Sequence, residues 1–145
     1  MSRLSHALLA VTLVGYAASI AGYFEYVSGS GVCEIGDVGF AVVNCSSVYD
    51  IPEAVVFGVV HLSVLAPVYF TLLSLVALAY WIRRSRIFLI ASSFLSLVGV
   101  VTVPYLVYLE LFVAGAVCLW CTVMHISILL AFALAIVGLR IGGHT

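Results

Sequence analysis

Four long apolar stretches run along the chain, at about 6–24, 54–82, 87–109 and 115–139, separated by polar interruptions. Each reaches the roughly 18 to 20 residues needed to cross a hydrocarbon core of about 30 Å. Lipid offers the backbone no hydrogen-bond partner, so spanning segments are helices or closed barrels, and continuous apolar runs of this length predict helices. The second stretch exceeds what a span needs, so part of it is expected to tilt or to lie in the interface. Only the connection at about 26–53 is long. Ser28-Gly29-Ser30-Gly31, Gly36, Gly39 and Pro52 mark it as a loop with room for a short interfacial helix. The connections at 83–86 and about 110–114 are short, which makes consecutive helices antiparallel neighbours. A kink at Pro104, near the end of the third stretch, is tolerable there.

Composition gives the same class. Of 145 residues, 66% are hydrophobic and 8% charged, with no lysine, whereas a soluble domain carries about 25% charged residues to keep its surface hydrated. A net charge of −1 without a basic stripe argues against nucleic acid. Arg3, Arg83, Arg84, Arg86 and Arg140 all fall on one side of a four-span topology, which the positive-inside rule makes cytoplasmic. Glu25, Glu34, Asp37, Asp50, Glu53 and Glu110 fall on the other. The expected fold is an all-α membrane protein over residues 1–145, a four-transmembrane-helix up-down bundle with one long extracytoplasmic loop. It would sit as a multi-pass protein in the plasma membrane with both termini cytoplasmic. Arg3 and the small residues at 18–22 also give the first stretch the outline of a secretory signal. Removing it would leave three spans with an exposed seam.

The four cysteines share the non-cytoplasmic side, where disulfides persist. Cys33 and Cys45 lie in the long loop, and Cys118-Leu119-Trp120-Cys121 opens the fourth helix. Three connectivities are open to four cysteines, and a structural staple accounts for the loop pair as well as a redox role does. The helical pair is different, because a disulfide there would close a loop too short to constrain much. At a helix N-terminus the dipole and free N–H groups stabilise the thiolate that thiol exchange requires. Zinc is disfavoured, since its ligands would be divided between a loop and a lipid-embedded helix without knuckle spacing. Cys121 lies one turn deeper than Cys118, and His125 one turn deeper again on the same stripe. Electrons entering at the loop pair could step to Cys118, then Cys121, then an acceptor in the bilayer. A dithiol gives up two electrons and two protons, which suits a lipid quinone.

In order along the chain, Cys33, Asn44-Cys45-Ser46-Ser47-Val48, Phe57-Gly58 and Tyr105-Leu106-Val107-Tyr108-Leu109-Glu110-Leu111 precede the C-x-x-C. Together these blocks resemble the vitamin K epoxide reductase family in its prokaryotic disulfide-forming branch. The resemblance implies a four-helix bundle around a quinone, such as ubiquinone or menaquinone. Its loop pair would collect electrons from a thioredoxin-fold partner. On that reading Cys33 meets the partner, Cys45 relays to Cys118, and Cys121 faces the quinone. Asp50 stands where the family often has serine, and His125 stands where mammalian members carry tyrosine. The separation of Cys33 and Cys45 is also on the long side. Several bacterial members continue into a fused thioredoxin-like domain; this chain ends at Thr145, so a separate partner protein is expected.

Among other residues, His125 is a functional candidate because an ionisable group at lipid depth is one by default, with a hydrogen bond to a neighbouring helix as its plainer account. Phe57 and His61 are further candidates for the quinone site, with packing and an interhelical hydrogen bond as their plainer accounts. Glu110 reads as an interfacial anchor, and Trp81, Tyr23, Tyr26, Tyr105 and Tyr108 fit aromatic belts. His6 and His144 are terminal and carry no signal. The expected activity is thiol:quinone oxidoreduction. Its rivals are a non-catalytic scaffold stapled by structural disulfides and true vitamin K epoxide reduction. Lability to mild reductants separates the scaffold from the redox readings.

Overall fold

The apolar stretches form four long helices, α1 (Ser2–Ser28), α3 (Leu62–Arg83), α4 (Arg86–Tyr108) and α5 (Leu119–Gly142). They are seen in a computed structural model that describes residues 2–37, 39 and 42–142, so His144 lies outside the described residues. A short helix, α2 (Cys45–Tyr49), follows the strand pair β1 (Gly36–Asp37) and β2 (Val42–Val43) in the first connection. All four long helices have the length and apolar character of membrane spans.

Their packing follows from lipid as the solvent. Large apolar side chains such as Leu72, Leu75, Phe94, Val101, Leu129 and Leu130 point outward. The interior holds Ser5, Thr12, Ser19, Ser92, Ser96, Ala131 and Ala135 beside Leu8, Phe70 and Leu73. Helices in lipid gain nothing by hiding leucine, so they associate through small residues that allow close approach. At Gly15 an added Cβ would enter the Phe70 ring, and Gly99 leaves room for the Tyr69 hydroxyl, which donates to the Leu95 carbonyl at 3.0 Å. Thr12 donates to the Leu9 carbonyl (2.9 Å) and Ser19 to the Tyr16 carbonyl (2.7 Å) within α1, whereas the buried hydroxyls of Ser92 and Ser96 have no hydrogen-bond partner among the described residues. α1 packs against α3 and α5, and α4 packs against the same two, which gives a four-cornered up-down bundle. Leu4, Leu89 and Gly138 meet at one end, together with the arginine-bearing α3–α4 turn.

Two boundaries differ from the expected ones. Residues 55–61 are not helical: after a 3-10 turn at Pro52–Ala54 comes an antiparallel hairpin, β3 (Val55–Val56) and β4 (Val60–His61). The β-branched valines favour extended backbone, and Phe57 (φ 54°) and Gly58 (φ 68°) make the turn. α3 starts only where His61 accepts the Ser63 N–H as a cap at 3.1 Å. At the other boundary, α4 does not stop near 109. It widens into a π-helix, Leu109–Ala114, and ends at Gly115 in the left-handed region (φ 63°). Glu110 is thereby carried into the bundle instead of its rim.

Candidate active site

At the end of the bundle away from the arginines, a backbone clamp joins the loop to the start of α5. The Val117 N–H donates to the Val42 carbonyl (2.8 Å), and the Asn44 N–H donates to the Val117 carbonyl (3.1 Å). Asn44 then caps α2, its Oδ1 accepting the Ser47 N–H at 3.0 Å. Cys45 and Cys118 follow directly on the two clamped segments, so the register of the clamp sets them side by side. Cys33 and Cys45 form a disulfide with a Cα–Cα distance of 5.7 Å, while Cys118 and Cys121 are free. The sulfur atoms of Cys33, Cys45 and Cys118 all lie within 4.8 Å of one another. Each of these three residues is 0% exposed.

The helix terminus acts on these sulfurs. The Leu119 N–H, first in α5, donates to Cys33 Sγ at 3.4 Å, and the Cys121 N–H donates to Cys118 Sγ at 3.5 Å. The hydroxyl of Tyr49 lies 3.5 Å from Cys118 Sγ and 3.9 Å from Cys121 Sγ. Hydrogen bonds from Cys121 and Tyr49 outweigh burial and bring the Cys118 thiol below its usual pKa. Burial, followed by charge on Cys121 and Cys118, pushes the Tyr49 hydroxyl far upward, so it keeps its proton. Glu110 is buried; its Oε2 accepts the Cys118 N–H at 3.1 Å, and its Oε1 is 3.9 Å from His125 Nδ1. One carboxylate thus spans from the backbone of the C-x-x-C to the histidine one turn beyond it.

Beneath the thiols, a cavity of about 360 Å³ opens between all four long helices. Cys121, His125, Glu110 and Tyr49 are in its wall, and most of the remaining lining is apolar, including Ala66, Phe70 and Met124. Its volume falls within the roughly 300–1,000 Å³ typical of small-molecule pockets. His125 therefore stands where the sequence suggested, on the face of α5 that borders an apolar site together with Cys121.

The other two candidates lie elsewhere. Phe57, at the hairpin tip, is 97% exposed and not part of the cavity wall. His61 is not in the wall either; its Nε2 is 2.9 Å from the Tyr49 carbonyl. A carbonyl only accepts, so Nε2 bears the proton and Nδ1 is left to accept the Ser63 N–H. Its ring stacks on Tyr26 (centroids 4.1 Å apart) and meets Tyr49 edge-on at 6.1 Å. His61 thus buttresses α2. Sequence reasoning missed Tyr49 and misassigned Glu110. Asn44 as a helix cap, with Tyr49 one turn after Cys45, was the available signal for the first. An acid next to an apolar run was the signal for the second.

A four-span bundle that buries a disulfide against a free thiol pair defines a membrane redox protein. The chain belongs to the vitamin K epoxide reductase family, which matches residues 6–136. No curated protein matches it. Family membership makes it a membrane oxidoreductase, and the family uses quinone-type electron carriers.

Proposed function

We propose that the protein is a thiol:quinone oxidoreductase that reoxidises a separate thioredoxin-fold disulfide donor on the extracytoplasmic face. The observation that carries this reading is the grouping of the Cys33, Cys45 and Cys118 sulfurs within 4.8 Å. Thiol exchange proceeds by attack of one sulfur on a neighbouring disulfide, and such a grouping serves it directly. The partner's dithiol reduces Cys33–Cys45. Cys45 then attacks Cys118 of a Cys118–Cys121 disulfide, and Cys33 resolves the mixed disulfide. The product is the arrangement in the structure, with the loop pair oxidised and the helical pair carrying the electrons.

The cavity suits a quinone ring: it is apolar, open between helices, and has a thiol and an imidazole in its wall. A bound quinone accepts two electrons and two protons. Cys121 faces that space, Cys118 closes the helical disulfide behind it, and His125 donates a hydrogen bond where negative charge collects. Orientation follows from the five arginines, with both termini cytoplasmic.

Burial of the loop disulfide also fits a structural staple, and one experiment separates the two. Fully reduced protein, freed of reductant, is mixed anaerobically with a short-chain ubiquinone or menaquinone while absorbance and free thiols are followed. The expected result is loss of two thiols for each quinone reduced, and none in Cys121→Ser. Thiols that survive an excess of quinone would leave the staple as the better account.

A further inference from the structure

Tyr49 has a placement that the relay does not by itself require. It stands one turn after Cys45 on α2, so one short helix presents both the relay cysteine and a hydroxyl to the C-x-x-C. That hydroxyl reaches both sulfurs of the helical pair, at 3.5 and 3.9 Å. Its surroundings hold it there. His61 bonds the Tyr49 carbonyl at 2.9 Å, and the rings of His61 and Tyr26 each lie 6.1 Å from the Tyr49 ring. Across the site, α1 has Gly22 where an added Cβ would come within 2.6 Å of the Tyr49 oxygen. Any larger residue at Gly22 would displace the hydroxyl from the sulfurs.

We propose that Tyr49 is a catalytic residue whose hydroxyl donates to whichever sulfur of the Cys118–Cys121 pair carries the leaving charge. The proposal rests on the relay reading above. Two exchanges need this service. In the first, the Cys45 thiolate forms a bond to Cys118 Sγ as the Cys118–Cys121 bond breaks, and the electron pair leaves on Cys121. In the second, the Cys33 thiolate forms a bond to Cys45 Sγ as the Cys45–Cys118 bond breaks, and the electron pair leaves on Cys118. The loop dithiol is oxidised and the helical disulfide is reduced, with no outside oxidant. A buried thiolate without a donor is costly, and one hydroxyl between two sulfurs can serve both steps by rotating about its C–O bond. Burial, which keeps Tyr49 protonated, keeps it a donor.

A hydrogen bond to a thiolate favours the reduced helical pair over its disulfide. Removing it should therefore make that pair harder to reduce, and only that pair. Purified protein is equilibrated anaerobically in a series of dithiothreitol redox buffers, without quinone or partner, then acid-quenched and alkylated. Mass spectrometry reads the 33–45 and 118–121 disulfides separately. In Tyr49→Phe, which keeps the ring against His61 and Tyr26, the 118–121 equilibrium should move about tenfold toward disulfide, equivalent to about 30 mV. The 33–45 midpoint should stay in place. Gly22→Ala, which retains the hydroxyl but displaces it, should shift the 118–121 midpoint in the same direction. An unchanged 118–121 midpoint in Tyr49→Phe overturns the proposal, as does a common shift of both pairs, which would mean that the hydroxyl supports the fold. If the wild-type pairs do not exchange electrons at all, the relay itself falls and the proposal with it.

Discussion

At the scale of single residues, the site depends on donors aimed at sulfur and at the cavity. His125 lines the cavity four residues after Cys121, with Glu110 Oε1 3.9 Å from its Nδ1. In a dry site, losing one donor to a developing oxyanion costs about 2.7–4 kcal/mol. The expectation for His125→Ala is quinone reduction slowed by about tenfold or more, a discounted figure because water can enter the space left by the ring. Exchange between the loop pair and a reduced thioredoxin-fold protein should be nearly unchanged. Stopped-flow records of both half-reactions in one variant test this, and equal quinone rates would return His125 to packing. The cysteines stood out as candidates by their placement, two in the outer loop and a C-x-x-C at a helix start, and His125 because an ionisable group is rare at lipid depth. Tyr49 was not, since a tyrosine in a membrane protein reads first as an interfacial anchor. Only its contact with sulfurs 69 and 72 residues away carries the proposal of a redox role.

Among the elements, the spans were legible because length and hydropathy alone specify them. Their ends were not, because local backbone preferences decide there: valines and Gly58 make a hairpin of 55–61, and a π-helix carries Glu110 inward. The joint between β2 and the start of α5 yields a prediction of its own. With Val42–Asn44 bonded to Val117, Cys45 and Cys118 are held together even without their usual partners. A Cys33→Ala/Cys121→Ala variant is expected to form a Cys45–Cys118 disulfide, visible by mass spectrometry of proteolytic fragments. Two free thiols there would end the relay. The contact of α1 with α3 gives another. Gly15→Ala places a methyl group in the Phe70 ring, and overpacking of this kind costs about 1–3 kcal/mol. A lower unfolding temperature in detergent is expected, and an unchanged one would mean that the two helices separate easily.

For the whole molecule, the arginines gather at one end of the bundle and the four cysteines at the other. In cells whose disulfides have been reduced, a membrane-impermeant thiol reagent is expected to label Cys33 or Cys45 from outside. Labelling only after the membrane is opened would reverse the orientation. The same architecture encloses Cys33, Cys45 and Cys118 completely, each at 0% exposure. On the proposed relay, these three outer sulfurs would form an insulated conductor. A stray oxidant or small thiol dissolved in the surrounding water can drain or charge it only when the loop springs open. Leakage should therefore level off as the concentration of such a molecule rises, at a ceiling set by the opening rate and not by the molecule's potential.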